Sequence, residues 1–399
     1  MIFNRRVPSW IRVAYYYDSI GGFLYGIFYG FSIAFFPIIA RRIGATPVQM
    51  ALLSIFPFTG ALFTLYWAHI SGKRKKMAFV VGTKRIARVI LFLMAFASKP
   101  WVFLVILFFY WFFEYAGTPA YGGIMKDIYP EEHRGKAMGY VRVELALASI
   151  LSTYLCGMLL DVVSYRLVFP LGAMVGIIAI NFFRKIPIKS DESMEFSKER
   201  FSPFMIRDVW REDRRFFRYS MIFFLYGFSF LVTVPLYPIF LIDYLQISNA
   251  VAGKLASLFS IFWLVSYLFW GEYIDRKSPL KALCIIFGLS AMVPLFYFLA
   301  YDLWLVALAS AFSGITAGGV ELAQLNYLTR IAGKREVQKY WGINYSTMGV
   351  RGIIAPFLGV ALMKLIGIRW TFFLSFFFIF IAFLLLSILR EELESKAKT

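Results

Sequence analysis

The chain of 399 residues is 60% hydrophobic and only 16% charged, with a mean hydropathy of +0.69, which excludes an ordinary water-soluble domain. Its net charge of +19 would suit a nucleic-acid partner, but aromatic residues, 20% of the chain, are interleaved everywhere and single out no such surface. Cys156 and Cys284 each fall in an apolar stretch without a CxxC partner, so neither a disulfide framework nor a metal cluster is supported.

Twelve apolar stretches follow one another, at about 14–38, 47–70, 77–98, 101–124, 138–161, 165–183, 217–241, 251–271, 280–300, 303–328, 341–365 and 368–389. Each is long enough to cross roughly 30 Å of hydrocarbon as a helix rising 1.5 Å per residue. No ten-residue alternation recurs, which argues against a β-barrel. The basic stretch from Met1 to Arg12 leads directly into a full-length span without an Ala-x-Ala site, so it reads as retained and not as a signal peptide. Gly22, Gly26 and Gly30 share one face of span one, and Ser310, Gly314 and Gly318 repeat the spacing in span ten, as close-packing seams do. Pro37, Pro57, Pro119, Pro235, Pro294 and Pro356 lie within spans and permit kinks. Between spans six and seven runs a long polar connector. Its stretch from Phe201 to Phe217 mixes aromatics with Arg207, Arg211, Arg214 and Arg215, as a helix on the membrane surface or a solvated loop would.

Two features organise the spans. If both termini are cytoplasmic, the inner segments hold 34 Lys and Arg and the outer ones 7, so the excess charge is a topology signal with some attraction to lipid headgroups. The second half also repeats the first. Phe23-Leu24-Tyr25-Gly26 and Pro37 return as Phe224-Leu225-Tyr226-Gly227 and Pro238 at an offset of 201. Arg166-Leu167-Val168-Phe169 and Gly139 return as Arg369-Trp370-Thr371-Phe372 and Gly342 at an offset of 203. The expected architecture is all-α and polytopic: a six-helix bundle over 1–185, a cytoplasmic loop over 186–215 and a second bundle over 216–399. Two such halves around a shared axis can expose a midplane site to each side in turn.

Charges inside spans are costly and need partners. Residue counts place Arg88 and Glu114 at heights within about 2 Å of each other, which predicts a pair that pins two helices or serves transport. Lys84 and Arg85 lie about one turn lower, near Glu144, whose charge they are expected to share. In the second half Arg351 and Glu321 differ by about 4.5 Å in height, within reach of an arginine side chain. Their first-half counterparts, Ala148 and Thr118, carry no charge, so this second pair suits either scaffold or function, with Arg351 holding an anionic group or alternating with a proton for Glu321. Asn344, Gln324, Tyr25, Tyr29 and Tyr226 are candidates for neutral hydrogen bonds around a central cavity.

The segment from Gly271 to Lys281, with Gly271, Asp275 and Arg276 in the pattern Gly-x-x-x-Asp-Arg-x-Gly-basic, resembles the signature loop of the major facilitator superfamily. Ser278 replaces its second glycine. The first-half equivalent has Trp67 and Ser71 where Gly and Asp would stand. A second stretch, Asp127 to Gly139, resembles the loop between spans four and five of the family, and Arg335 and Gly342 belong to its second-half counterpart. The resemblance implies a secondary transporter of two six-helix bundles, with Gly271, Asp275 and Arg276 as a cytoplasmic gate loop. It also implies a small-molecule solute, a possible coupling proton or sodium ion, and a monomer in the cell membrane. The arginine of span four tied to proton coupling in the family has Phe113 in its place, and the drug-antiporter motif of span five is absent, with a partial echo at Ala355-Pro356-Phe357-Leu358-Gly359. Coupling through Glu321 or Glu114 and uniport both remain open. No Walker A loop, cofactor motif or metal site is present, and His69 and His133 do not form an enzyme-like constellation, so an embedded enzyme or a receptor is a minor alternative. Buried arginines favour an organic anion as solute, while the aromatic-rich spans suit amphipathic compounds.

Overall fold

A computed structural model describes residues 9–71, 74–129, 131–188 and 209–396. Most of the expected connector, 189–208, lies outside the described residues, as does Arg207, and so do the side chains of His133 and Arg335. Two compact units are present: 1–198 with 246–257, and 199–245 with 258–399.

In the first unit α1 (Ser9–Phe31) continues through a 3-10 turn into α2 (Phe36–Arg42), where Pro37 sits in the first turn of the new segment. Gly44, at φ +92°, makes the turn into α3 (Pro47–Leu62), which is followed by α4 (Thr64–Ser71). Then come α5 (Lys76–Leu91), α6 (Pro100–Ala116), α7 (Thr118–Ile128), α8 (Glu131–Val162) and α9 (Tyr165–Phe183). The chain breaks between α6 and α7 just before Pro119, because proline tolerates a first helical turn but not an interior one. α1 packs on α8 and α9, and α5 packs on α6 and α9. Asp161, near the end of α8, accepts from the backbone nitrogens of Asn249 and Ala250, at 2.8 and 3.0 Å, which places the start of the helix Asn249–Arg276 in this unit.

The second unit holds α10 (Arg214–Thr233), the short α11 (Leu236–Ile239) and a π-turn, then the larger part of α12 (Asn249–Arg276). It ends with α13 (Pro279–Leu299), α14 (Leu303–Ile366) and α15 (Ile368–Lys396). Asp213 caps α10 by accepting from the nitrogens of Arg215 and Phe216, both at 2.9 Å, and its other oxygen takes the Tyr340 hydroxyl at 2.7 Å. α10 and α13 each pack on α14 and α15, around a core that includes Trp270, Phe287 and Ile343. Gly367, at φ +85°, allows the reversal from α14 to α15.

Among the described residues ten helices are long and apolar enough to cross a membrane. The other two expected spans differ for separate reasons. Span two breaks at Phe63, leaving two short helices, and span three carries Lys76, Lys84, Arg85 and Arg88 along α5. The connection expected between spans ten and eleven is helical, so α14 runs over both in 64 residues.

The glycine stripes are packing seams. A Cβ at Gly26 would lie 2.9 Å from that of Ala148, and one at Gly30 would lie 2.6 Å from the Thr153 nitrogen, both on α8. In the second unit a Cβ at Gly314 would lie 2.9 Å from the Trp263 nitrogen of α12. Gly30→Leu should therefore force α1 off α8 and cost about 1–3 kcal/mol, read as a lower thermal midpoint in detergent. Gly139→Ala, whose added carbon meets nothing within 4 Å, should leave the midpoint unchanged or slightly raised.

Candidate functional site

Lys84 and Arg88 stand one turn apart on α5 and so share a face, which they turn to Glu114 of α6. Lys84 Nζ lies 2.8 Å from Glu114 Oε1, and Arg88 Nη1 lies 2.5 Å from Glu114 Oε2. Arg88 is wholly buried, and its guanidinium lies 4.1 Å from the Phe28 ring centre and 5.6 Å from those of Tyr25 and Tyr110. Gly176 of α9 makes the room: a Cβ there would come within 2.8 Å of Arg88 Cδ. The Arg88–Glu114 contact expected from helix depth is thus present. Lys84 joins it and does not go to Glu144, while Arg85 donates to Asn181. Counting residues fixes a group's height but not the direction it faces, and Arg85 is turned about 100° from Lys84 on a helix of 3.6 residues per turn. Glu144 accepts instead from Tyr15, at 3.2 Å, and from Ser19.

Next to this cluster lies a carboxylate that the sequence reading did not single out. Asp18 of α1 is 4% exposed, and its Oδ2 accepts a 2.8 Å hydrogen bond from the buried hydroxyl of Tyr129, just beyond α7. Burial, with the adjacent Asp18, pushes the Tyr129 phenol up, so it remains a donor at physiological pH. The signal was available: Asp18 is the one carboxylate in the first apolar stretch, and the rule applied to Glu114 applies equally to it. Asp18, Tyr25, Lys84, Arg88, Tyr121 and Arg142 all line one cavity of about 290 Å³ inside the first unit, with apolar walls that include Val141, Leu145, Ile180 and Phe183. Tyr29 is half-buried and is not part of this lining.

In the second unit the expected Arg351–Glu321 pair is not formed. Arg351 of α14 is 6% exposed, donates from Nη1 to the Phe223 carbonyl at 2.5 Å, and has its guanidinium 4.9 Å from the Phe223 ring centre. Glu321 is exposed and accepts from the Tyr267 hydroxyl. Each side chain meets a different neighbour, Phe223 of α10 for Arg351 and Tyr267 of α12 for Glu321. The repeat explains where Arg351 goes. Gly26 faces Ala148 in the first unit, and the counterpart of that contact is Gly227 facing Arg351, whose guanidinium fills the notch that the glycine leaves. Gly227→Ala would put a Cβ 2.8 Å from Nε and should expel the guanidinium. The expected result is a stability loss of about 1–3 kcal/mol in thermal unfolding, relieved by adding Arg351→Ala, the first-half residue. Gln324 and Asn344 are brought together at 2.8 Å, and Tyr226 shares a 3.0 Å hydrogen bond with Ser290 while stacking 3.9 Å from Phe287. Asp275 and Arg276 are exposed at the end of α12, where Arg276 pairs with Glu272 of its own helix at 2.5 Å. The first-half equivalents of Gly271 and Asp275, which are Trp67 and Ser71, are buried.

Bundles of apolar helices with charged groups held in their interiors are the construction of a polytopic membrane protein. The family model described as Major Facilitator Superfamily matches residues 19–231 and again 219–399, and the chain belongs to that superfamily. Among curated proteins it is 29% identical over 184 residues to the multidrug resistance protein MdtG of Enterobacter lignolyticus (strain SCF1), covering 44% of this chain and 43% of the relative. It is also 29% identical over 169 residues to MdtG of Proteus mirabilis (strain HI4320), covering 40% and 41%. The alignments thus span less than half the length of these relatives. Among solved structures, the nucleoside transporter NupG (D323A mutant) matches with a TM-score of 0.77 at 10% identity, over 94% of this chain and 99% of that one. A bacterial homolog of the human lysosomal transporter Spinster, inward-facing and unoccupied, matches with a TM-score of 0.71 at 14% identity, over 96% and 97%. These two likenesses show the fold alone.

Proposed function

We propose that this transporter moves a small organic solute by alternating exposure of its two halves, coupled to protons, with both termini in the cytoplasm. The observation that carries the coupling is Asp18: a carboxylate almost fully buried in a membrane helix, held by a neutral hydroxyl and facing a cavity. Asp18 is bonded to a neutral hydroxyl and to no cation, so burial favours a proton on it and access to water favours its loss. Glu114 suits the role less well, because Lys84 and Arg88 already balance it. Tyr129 ties Asp18 to the connection between spans four and five, so losing or gaining a proton bears directly on how α1 and α7 are joined. The partial likeness to MdtG supports an organic solute. The Gly271, Asp275 and Arg276 segment is the proposed cytoplasmic gate loop.

Proteoliposomes carrying the purified chain test this with a panel of labelled organic solutes and imposed gradients. Accumulation that follows a pH gradient and collapses with a protonophore is the expected result. Accumulation that follows a sodium gradient, or flux that only equilibrates, would remove proton coupling.

A further inference from the structure

The charges around the first-half cavity do more than place a proton. Lys84, Arg88 and Arg142 line it, against Asp18 in the lining and Glu114 bonded to Lys84 and Arg88. These groups are net positive with Asp18 ionised, and protonating Asp18 adds one further positive charge. The cationic side is also incompletely satisfied. Arg88 is wholly buried, and its Nε and Nη2, which have no hydrogen-bond partner, are covered by the surrounding rings and Gly176. Glu114 takes one proton of the Lys84 ammonium at 2.8 Å, and the group has three to give. The remaining walls are apolar, and about 290 Å³ is close to the lower bound for small-ligand pockets.

We propose that this cavity is a binding site for a small amphipathic organic anion, with the acidic group held by Lys84 and Arg142, beside the buried charge of Arg88, and the apolar body against Val141 and Ile180. A cationic amine would add to the positive excess here, and a neutral solute would leave the remaining protons of the Lys84 ammonium without a counter-charge. The site rests on the transporter reading, and its link to pH rests on Asp18 as the proton carrier. Around Asp18 the charged and titratable neighbours are Tyr15 and Tyr25 on α1, Lys84 and Arg88 on α5, and Tyr121 with Tyr129 on and beside α7. Arg142 and Glu144 complete the set from α8. Protonating Asp18 favours the anion, and by reciprocity the anion favours the proton, so the two enter as an electroneutral pair.

The test uses benzenesulfonate, which has no membrane-permeant acid form, and its neutral analogue benzenesulfonamide. Binding to the full chain in lipid nanodiscs is measured by calorimetry at mildly acidic and mildly alkaline pH. Benzenesulfonate should bind at least about tenfold more tightly than the sulfonamide, and more tightly in acid. Lys84→Met and the exposed-site variant Arg142→Gln should each weaken it about tenfold, the second guarding against a folding defect in the first. Asp18→Asn should bind as the wild type does in acid, at either pH. Equal affinity for the two compounds, or full affinity in both Lys84→Met and Arg142→Gln, would overturn the site. Binding that needs Lys84 but ignores pH would keep the anion site and refute Asp18 as the proton carrier.

Discussion

Replacing Glu114 with alanine should destabilise the first unit by about 3–5 kcal/mol, the cost of leaving a buried cation without its counter-charge. Arg88 is wholly buried, and of its five donors only those at Nη1 have a partner, which is Glu114. Lys84 is 23% exposed at the side chain and can turn towards water when Glu114 is lost, so it should contribute little to the penalty. Arg88 has no such exit, because Phe28, Tyr25, Tyr110 and Gly176 enclose it. Arg88→Met combined with Glu114→Leu should recover most of the stability, since an apolar pair of similar volume is often as stable as a buried ion pair. Chemical-denaturant or thermal unfolding in one detergent measures all three. A Glu114→Ala protein with unchanged stability would show that the pair holds nothing together. A double variant that folds well but does not transport would assign the cluster to the solute and not to the scaffold.

Asp18→Asn should abolish concentrative transport while leaving the fold intact. Asparagine keeps the size of the side chain and an acceptor for the Tyr129 hydroxyl, but it can neither gain nor lose a proton. One pH unit is worth about 1.4 kcal/mol per proton, so one coupled proton supports an accumulation ratio of about ten. The wild type should approach that ratio in proteoliposomes under a gradient of one unit, and Asp18→Asn should stay near one. Exchange of labelled for unlabelled solute needs no net proton movement and should survive in the variant. Tyr129→Phe should give an intermediate phenotype, because it removes one buried hydrogen bond worth about 1 kcal/mol but leaves the carboxyl in place. Concentrative uptake by Asp18→Asn at the wild-type ratio would eliminate this residue from the coupling.

The architecture was legible because it is written in one dimension. The length of an apolar stretch, an offset shared between two halves and a glycine every fourth residue all survive projection onto the chain. Each of them reappears in the helices, the fold family and the α1–α8 seam. Direction around a helix axis does not survive in the same way. Arg88 and Glu114 were paired from their heights and do meet, whereas Arg351 and Glu321 were paired by the same reasoning and face different neighbours. The repeat held better information than depth did, since Ala148 facing Gly26 already marks the place where Arg351 enters the Gly227 notch. Asp18 was missed for a different reason. It lies only a few residues into its span, where a carboxylate can pass for an interfacial group, and what removes it from water is the distant Tyr129 and the packing of α8 and α9 on α1.

The carboxyl of Asp18 can be observed directly, by infrared difference spectroscopy of the full chain in lipid during a pH titration. The account predicts a protonated-carboxyl C=O band that grows as the pH falls, shifts in Tyr129→Phe and vanishes in Asp18→Asn. A set of carboxyl bands identical in the wild type and Asp18→Asn would contradict it.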